Sequence, residues 1–226
     1  MMFRDRIDAG EQLGDRLRER LSDFCMTGDS KPLDAVVLGL PRGGVPVARQ
    51  VAKKLGLPLD ILVVRKIGMP GHEELALGAV ASAGAEYINQ DLIDRMRVDA
   101  ATMQRLRSKK KSEVDQREGM FMMGREHADL ANKCVILVDD GLATGASMKA
   151  AVQAVRSKHP ARVVIAVPVG PTEAVNELRS VADFVVCLTQ PEFFYGVGGS
   201  YHVFAQTSDE EVASILTASS VGVSMQ

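Results

Sequence analysis

At 226 residues, 46% hydrophobic and 25% charged, the chain has the composition of a soluble globular protein and enough length to bury the core of one large α/β domain. A formal net charge of −2 argues against duplex nucleic acid as a general partner, because neutralising several phosphates needs a concentrated basic surface. The longest apolar runs are too short to span a bilayer, and the N-terminus mixes both charge signs without the apolar core of a signal peptide, so the expected location is cytoplasmic.

Leu13, Leu17 and Leu21 recur at four-residue spacing among charged residues, which predicts an amphipathic helix over residues 8–26 that covers a core. Residues 35–40 read as a buried strand. A Pro41-Arg42-Gly43-Gly44 loop and a helix over 45–55 follow. A second β-branched run, 59–65, is reached through Gly56 and Pro58, which implies two parallel strands joined by a crossover helix.

Between residues 66 and 132 the alternation stops: a Gly/Pro-rich stretch precedes a short hairpin over 77–88, broken at Gly84, and a charged helix over 90–124. Strand 134–139, helix 145–158, strand 162–167, helix 172–181 and strand 184–188 then resume it. The expected fold is α/β, with a doubly wound, mainly parallel sheet. A final helix starts at Ser208, where Ser208 and Glu211 form a capping box.

We expect one domain over 1–226, with a hairpin-plus-long-helix insertion at 66–132. Cys25, Cys134 and Cys187 have no paired or metal-ligand spacing and read as buried small hydrophobes. His72 reads as a solvated loop residue, and His127, His159 and His202 show no ligand spacing. The basic run 105–111 reads as the solvated face of a helix.

The chemistry concentrates in residues 135–147. Four buried apolar residues lead into Asp139 and Asp140, and the loop Ala143-Thr144-Gly145-Ala146-Ser147 then opens a helix. Backbone N–H groups and two hydroxyls at a helix N-terminus suit a phosphate monoester. Two carboxylates at the strand's C-terminal edge suit vicinal hydroxyls or a hydrated Mg²⁺. Adjacent carboxylates beside an anion site repel each other and the anion, which is a poor structural choice without a ligand or cation. The segment is not a nucleotide-triphosphate loop, because no lysine follows Gly145.

Residues 135–147 resemble the signature of the type I phosphoribosyltransferases. The resemblance implies that Asp139 and Asp140 hold the ribose hydroxyls of 5-phosphoribosyl 1-pyrophosphate (PRPP), with Mg²⁺ as cofactor, and that residues 143–147 bind its 5′-phosphate. Arg42, Gly43 and Gly44 match the family's pyrophosphate loop, which often carries a non-proline cis peptide. Arg65 and Lys66 resemble its neighbouring basic position. Residues 68–74 would begin the flexible loop that closes over the reaction, and residues 189–226 would form the hood and C-terminal helix, with Phe193, Phe194 and Tyr195 stacking on the acceptor.

The segments Arg65-Lys66-Ile67-Gly68-Met69-Pro70-Gly71 and Glu74-Leu75-Ala76-Leu77-Gly78-Ala79 are similar to an uncharacterised subgroup of the family. The implied activity is Mg-dependent transfer of ribose 5-phosphate to a nitrogenous base or amine with release of pyrophosphate. Ala143 stands where the hypoxanthine and guanine branch carries an aspartate, which disfavours a 6-oxopurine acceptor. Two alternatives stay open: a PRPP- or nucleotide-sensing regulator whose run 105–111 contacts nucleic acid, and an unrelated nucleotide-binding α/β protein. Dimers are common for such folds, and the N-terminal and inserted helices would supply a homodimer interface.

Overall fold

In the computed structural model, which describes residues 2–25 and 34–220, a five-stranded parallel sheet is ordered β2-β1-β6-β7-β8. Its strands are β1 (Ala35–Gly39), β2 (Leu59–Ile61), β6 (Cys134–Val138), β7 (Arg162–Val169) and β8 (Phe184–Thr189). Every residue of the central strand β6 is buried, as expected of a parallel strand covered on both faces. Strand alternation divides the core. Val37, Ile136, Val138, Val164 and Ala166 face one layer, while Val36, Leu38, Val135, Leu137, Val163 and Ile165 face the other.

The first layer is covered by α1 (Arg6–Glu19), α3 (Gly44–Leu55), α5 (Ala100–Met122) and α8 (Asp209–Ser220), through Leu13, Val51, Phe121 and Leu216 among others. The second is covered by α6 (Ala146–Arg156) and α7 (Thr172–Leu178), through Met148, Val152 and Leu178. The sheet is therefore doubly wound. The expected helix over 8–26 runs as α1 and the short α2 (Leu21–Phe24); its last residue and the side chain of Leu21 lie outside what the structure describes.

Three expectations are corrected. The run 59–65 is not one strand: β2 ends at Ile61, and the chain enters a second, antiparallel sheet of β3 (Val64–Met69), β4 (His72–Ala81) and β5 (Glu86–Ile88). The buried Ser82 hydroxyl accepts the Val63 N–H at 2.9 Å, so a tertiary partner rather than a sequence signal marks the switch. The long charged helix is also two: α4 (Gln90–Met96) stops where Arg97 turns left-handed (φ 53°), and Asp99 caps α5 by accepting the Thr102 N–H. Finally, Cys25 and Cys134, 109 residues apart, form a disulfide, which linear spacing could not show. Cys187 is free and partly buried, and burial pushes its thiol up to about 11.

Candidate active site

The site is built at the C-terminal ends of β1 and β6, neighbours across which the strand order turns back, the position where open α/β sheets bind ligands. Gly39 lies opposite Val138, and the Leu40 N–H donates to the Val138 carbonyl at 2.9 Å, so the chain leaves both strands side by side. The loop after β1 carries a cis peptide between Pro41 and Arg42 and passes directly over the acidic pair. A methyl group on Gly43 would strike the Asp140 carboxylate, and one on Gly44 would come within 2.8 Å of the Asp139 Cα. Glycine is required here for closeness of approach.

Asp139 and Asp140 are partly buried at the end of β6, and the Asp140 N–H donates to Asp139 Oδ1 at 2.8 Å. Burial, reinforced by the Asp140 charge, pushes the Asp139 carboxyl well above its ordinary range. Burial raises Asp140 as well, against the opposing pull of Arg6. Arg6 was not anticipated. It reaches from α1 to place Nε 2.8 Å from Asp140 Oδ2, donates Nη1 to the Ala205 carbonyl at 2.6 Å, and lays its guanidinium 4.0 Å over the Phe204 ring. The Tyr201 hydroxyl donates to the Asp140 carbonyl at 2.6 Å, fixing the backbone of the pair.

Among the described residues, two cavities adjoin the acidic pair and another adjoins the loop before α6. One, of about 330 Å³, is lined by Arg42, Arg65, Arg117, Asp139 and Ser147. A second, of about 360 Å³, is lined by Arg6, Arg42, Gly43, Asp140, Phe204 and Gln206. Asp139 thus opens on one cavity and Asp140 on the other, with Arg42 common to both. The third, of about 300 Å³, lies against Thr144, Gly145 and Ala146, where Lys66 and Lys149 are its cations. Gly145 (φ 73°) caps α6 without a side-chain hydrogen bond of its own, Thr144 Oγ1 accepts the Ala146 N–H at 3.4 Å, and Ala143, Thr144 and Ser147 are exposed, so the helix N-terminus is accessible to an anion.

Placement divides the expected residues. Arg42, Arg65, Asp139, Asp140 and Ser147 come together, with Gly43 and Gly44 packed against the two carboxylates. Lys66 does not join Arg42. It follows Arg65 on β3, successive strand side chains project to opposite faces, and Lys66 therefore lines the cavity against the loop before α6.

The aromatic run also lies elsewhere: Phe193 and Tyr195 are exposed, at 71% and 89%, and Phe194 packs near Phe3, Val169 and Tyr201. Phe204 is the ring at the acidic pair. Residues 68–74 form the tip of the β3–β4 hairpin, turning at Pro70 and Gly71. His127, set aside on spacing, is held between Asp60 and Glu118 at 3.0 and 2.7 Å, away from the acidic pair. Among the described residues no cluster of three His, Cys, Asp or Glu could hold a metal by itself, and no helix is long and apolar enough to cross a membrane.

A doubly wound sheet with paired carboxylates after its central strand, a glycine loop over them and an open helix N-terminus defines the type I phosphoribosyltransferase class. The family model for the phosphoribosyl transferase domain matches residues 4–204, and the chain belongs to that family. Proteins from two strains of Mycobacterium tuberculosis, provisionally named phosphoribosyl transferases, are 45% identical to it over 215 residues. These cover 95% of this chain but 46% of the relatives, so the chain spans about half the length of the curated proteins it matches. The crystal structure of the TT1426 protein from Thermus thermophilus superposes with a TM-score of 0.85 at 41% identity, covering 96% of this chain and 99% of that one.

Proposed function

We propose that this chain binds PRPP and transfers its ribose 5-phosphate to a nitrogenous acceptor with loss of pyrophosphate. The supporting observation is the meeting of Asp139 and Asp140 with two separate anion-accepting places, the arginine-lined cavity and the open N-terminus of α6. A simple monophosphate would leave the arginine cavity without a purpose. In this reading Asp139 and Asp140 accept hydrogen bonds from the ribose hydroxyls, residues 143–147 take the 5′-phosphate, and Arg42 and Arg65 take the pyrophosphate.

The acceptor nitrogen attacks C1′, the bond from C1′ to the pyrophosphate oxygen breaks with its electron pair on that oxygen, and the nitrogen loses a proton. The protein's contribution is position and charge. Guanidinium groups already in place lower the cost of the charge that develops on the leaving group. The Arg42–Gly43–Gly44 backbone holds one end of the substrate over the carboxylates that hold the sugar, which confines the reaction to one geometry.

The two carboxylates suit Mg²⁺, which favours oxygen ligands and keeps several from water and substrate phosphates. Asp139 and Asp140 would hold it, and it would supply further positive charge at the leaving group. In this reading the acceptor enters the neighbouring cavity of Arg6, Asp140, Phe204 and Gln206, which shares Arg42 with the pyrophosphate cavity. The regulatory alternative has less support. In its basic run Arg107 pairs with Glu86 and Lys110 with Glu113, so two of the five cations are engaged within the molecule.

Calorimetry with PRPP and Mg²⁺, followed by pyrophosphate release against a panel of bases and amines, tests the proposal. Binding with release for at least one acceptor is expected. Wild-type protein that fails to bind PRPP would refute it, and binding without release for any acceptor would favour the regulator.

A further inference from the structure

The cavity over Asp139 holds a residue for which the sequence motifs provide no place. Arg117 belongs to α5, inside the segment that interrupts the α/β alternation, yet it lines the cavity together with Arg42 and Arg65. Two further observations bear on it. Glu113 and Arg117, four residues apart, share one face of α5, and that face meets the other two arginines' surroundings: Glu113 Oε2 lies 3.8 Å from Arg65 Nε. Asp209, the first residue of α8, stands between the remaining pair, 3.1 Å from Arg117 Nη2 and 3.7 Å from Arg42 Nη1 through the same Oδ1.

That oxygen is buried and accepts no hydrogen bond, while the other carboxylate oxygen, Oδ2, accepts one from Arg117 Nη1 at 3.3 Å. A carboxylate oxygen held by two guanidinium groups through charge alone is poorly satisfied, since charge-assisted hydrogen bonds carry most of such a pair's worth. An anion with several oxygens and more charge would satisfy the same groups better. Arg117 is also steadied from behind, its guanidinium carbon 5.3 Å from the Phe121 ring.

We infer that Arg117 is a third pyrophosphate-binding residue, supplied by the inserted helix, and that Asp209 is the counter-ion the diphosphate displaces. The inference rests on the reading of the arginine cavity as the pyrophosphate subsite. It assigns a binding role to α5, and it makes α8 responsive to ligand, because the contact that Asp209 gives up ties α8 to both the loop after β1 and α5.

The test is titration of the full chain with inorganic pyrophosphate, and separately with PRPP, for wild type, Arg42→Met, Arg117→Met, Asp209→Asn and the double variant Arg117→Met/Asp209→Asn. Arg105→Met, an exposed cation of the same helix outside the cavity, controls for general loss of charge. Arg117→Met is expected to weaken pyrophosphate binding on the order of tenfold or more. Asp209→Asn is expected to tighten it roughly two- to fivefold, an advantage that disappears when Arg117 is also replaced.

Pyrophosphate affinity for Arg117→Met within twofold of wild type, where Arg42→Met binds weakly, overturns the inference and leaves the underlying reading intact. Asp209→Asn binding no tighter than wild type overturns it too, and this variant decides the matter even if Arg117→Met fails to fold. Wild-type protein that binds neither pyrophosphate nor PRPP overturns the underlying reading and the inference with it.

Discussion

Asp139 and Gly43 carry the sharpest expectations for single residues. Asp139→Asn keeps size and hydrogen-bonding capacity but removes a charge that burial and Asp140 already make costly, so the fold should survive. PRPP binding by calorimetry in Mg²⁺ should fall by about tenfold or more. Gly43→Ala should cost both binding and stability, because its methyl group meets the Asp140 carboxylate that Arg6 holds in place. PRPP affinity and the thermal midpoint should drop together. That Asp139, Asp140, Arg42 and the loop before α6 belong to one candidate site was legible because each sits in a local pattern. Arg6, Arg117 and Phe204 were not. Arg6 and Asp140 are 134 residues apart, and one arginine on an amphipathic helix looks like any other until the fold brings it to its partner.

Among the elements, β6 bears most of the burden, since it joins the two layers and ends in the acidic pair. Ile136 is fully buried in the layer under α3 and α5, and Ile136→Ala should destabilise the chain by about 2–5 kcal/mol in denaturant titration. The strand–helix alternation on either side of the insertion was readable because parallel strands and amphipathic helices carry different periods. The insertion was less so. A continuous run such as 59–65 shows where the chain is extended and buried, but not whether its hydrogen bonds go to β1 or to β4. The division between Ile61 and Val64 depends on Ser82, a residue beyond the next hairpin turn. The break of the charged helix at Arg97 was likewise hidden, because Asp99 as a cap looks like one more charge in a charged stretch.

At the scale of the molecule, His127 links the segment between α5 and β6 to β2 through Asp60, and back to α5 through Glu118. Burial alone would lower its pKa; the hydrogen bonds and charges of Asp60 and Glu118 outweigh that and raise it above the ordinary 6.5. The folded chain therefore binds this proton more tightly than the unfolded one. The stabilisation is complete below pH 6.5 and fades as pH rises through the folded-state value. Thermal midpoints should decline from pH 6 to 8 more steeply in wild type than in His127→Gln, and equal slopes would remove the assignment. The link itself, like the disulfide, joins residues too distant in sequence for spacing to reveal.

Residues near the two ends of the described chain meet over the acidic pair. The Phe3 N–H donates to the Ser200 carbonyl, the His202 and Val203 N–H groups donate to Phe3 and Arg4, and Arg6 spans from Asp140 to Ala205. During synthesis the first helix emerges long before the strand whose carboxylate it will hold, and longer still before the segment that covers both. The sheet can be assembled with the rim around the acidic pair unfinished, and the completed site is among the last things the chain acquires.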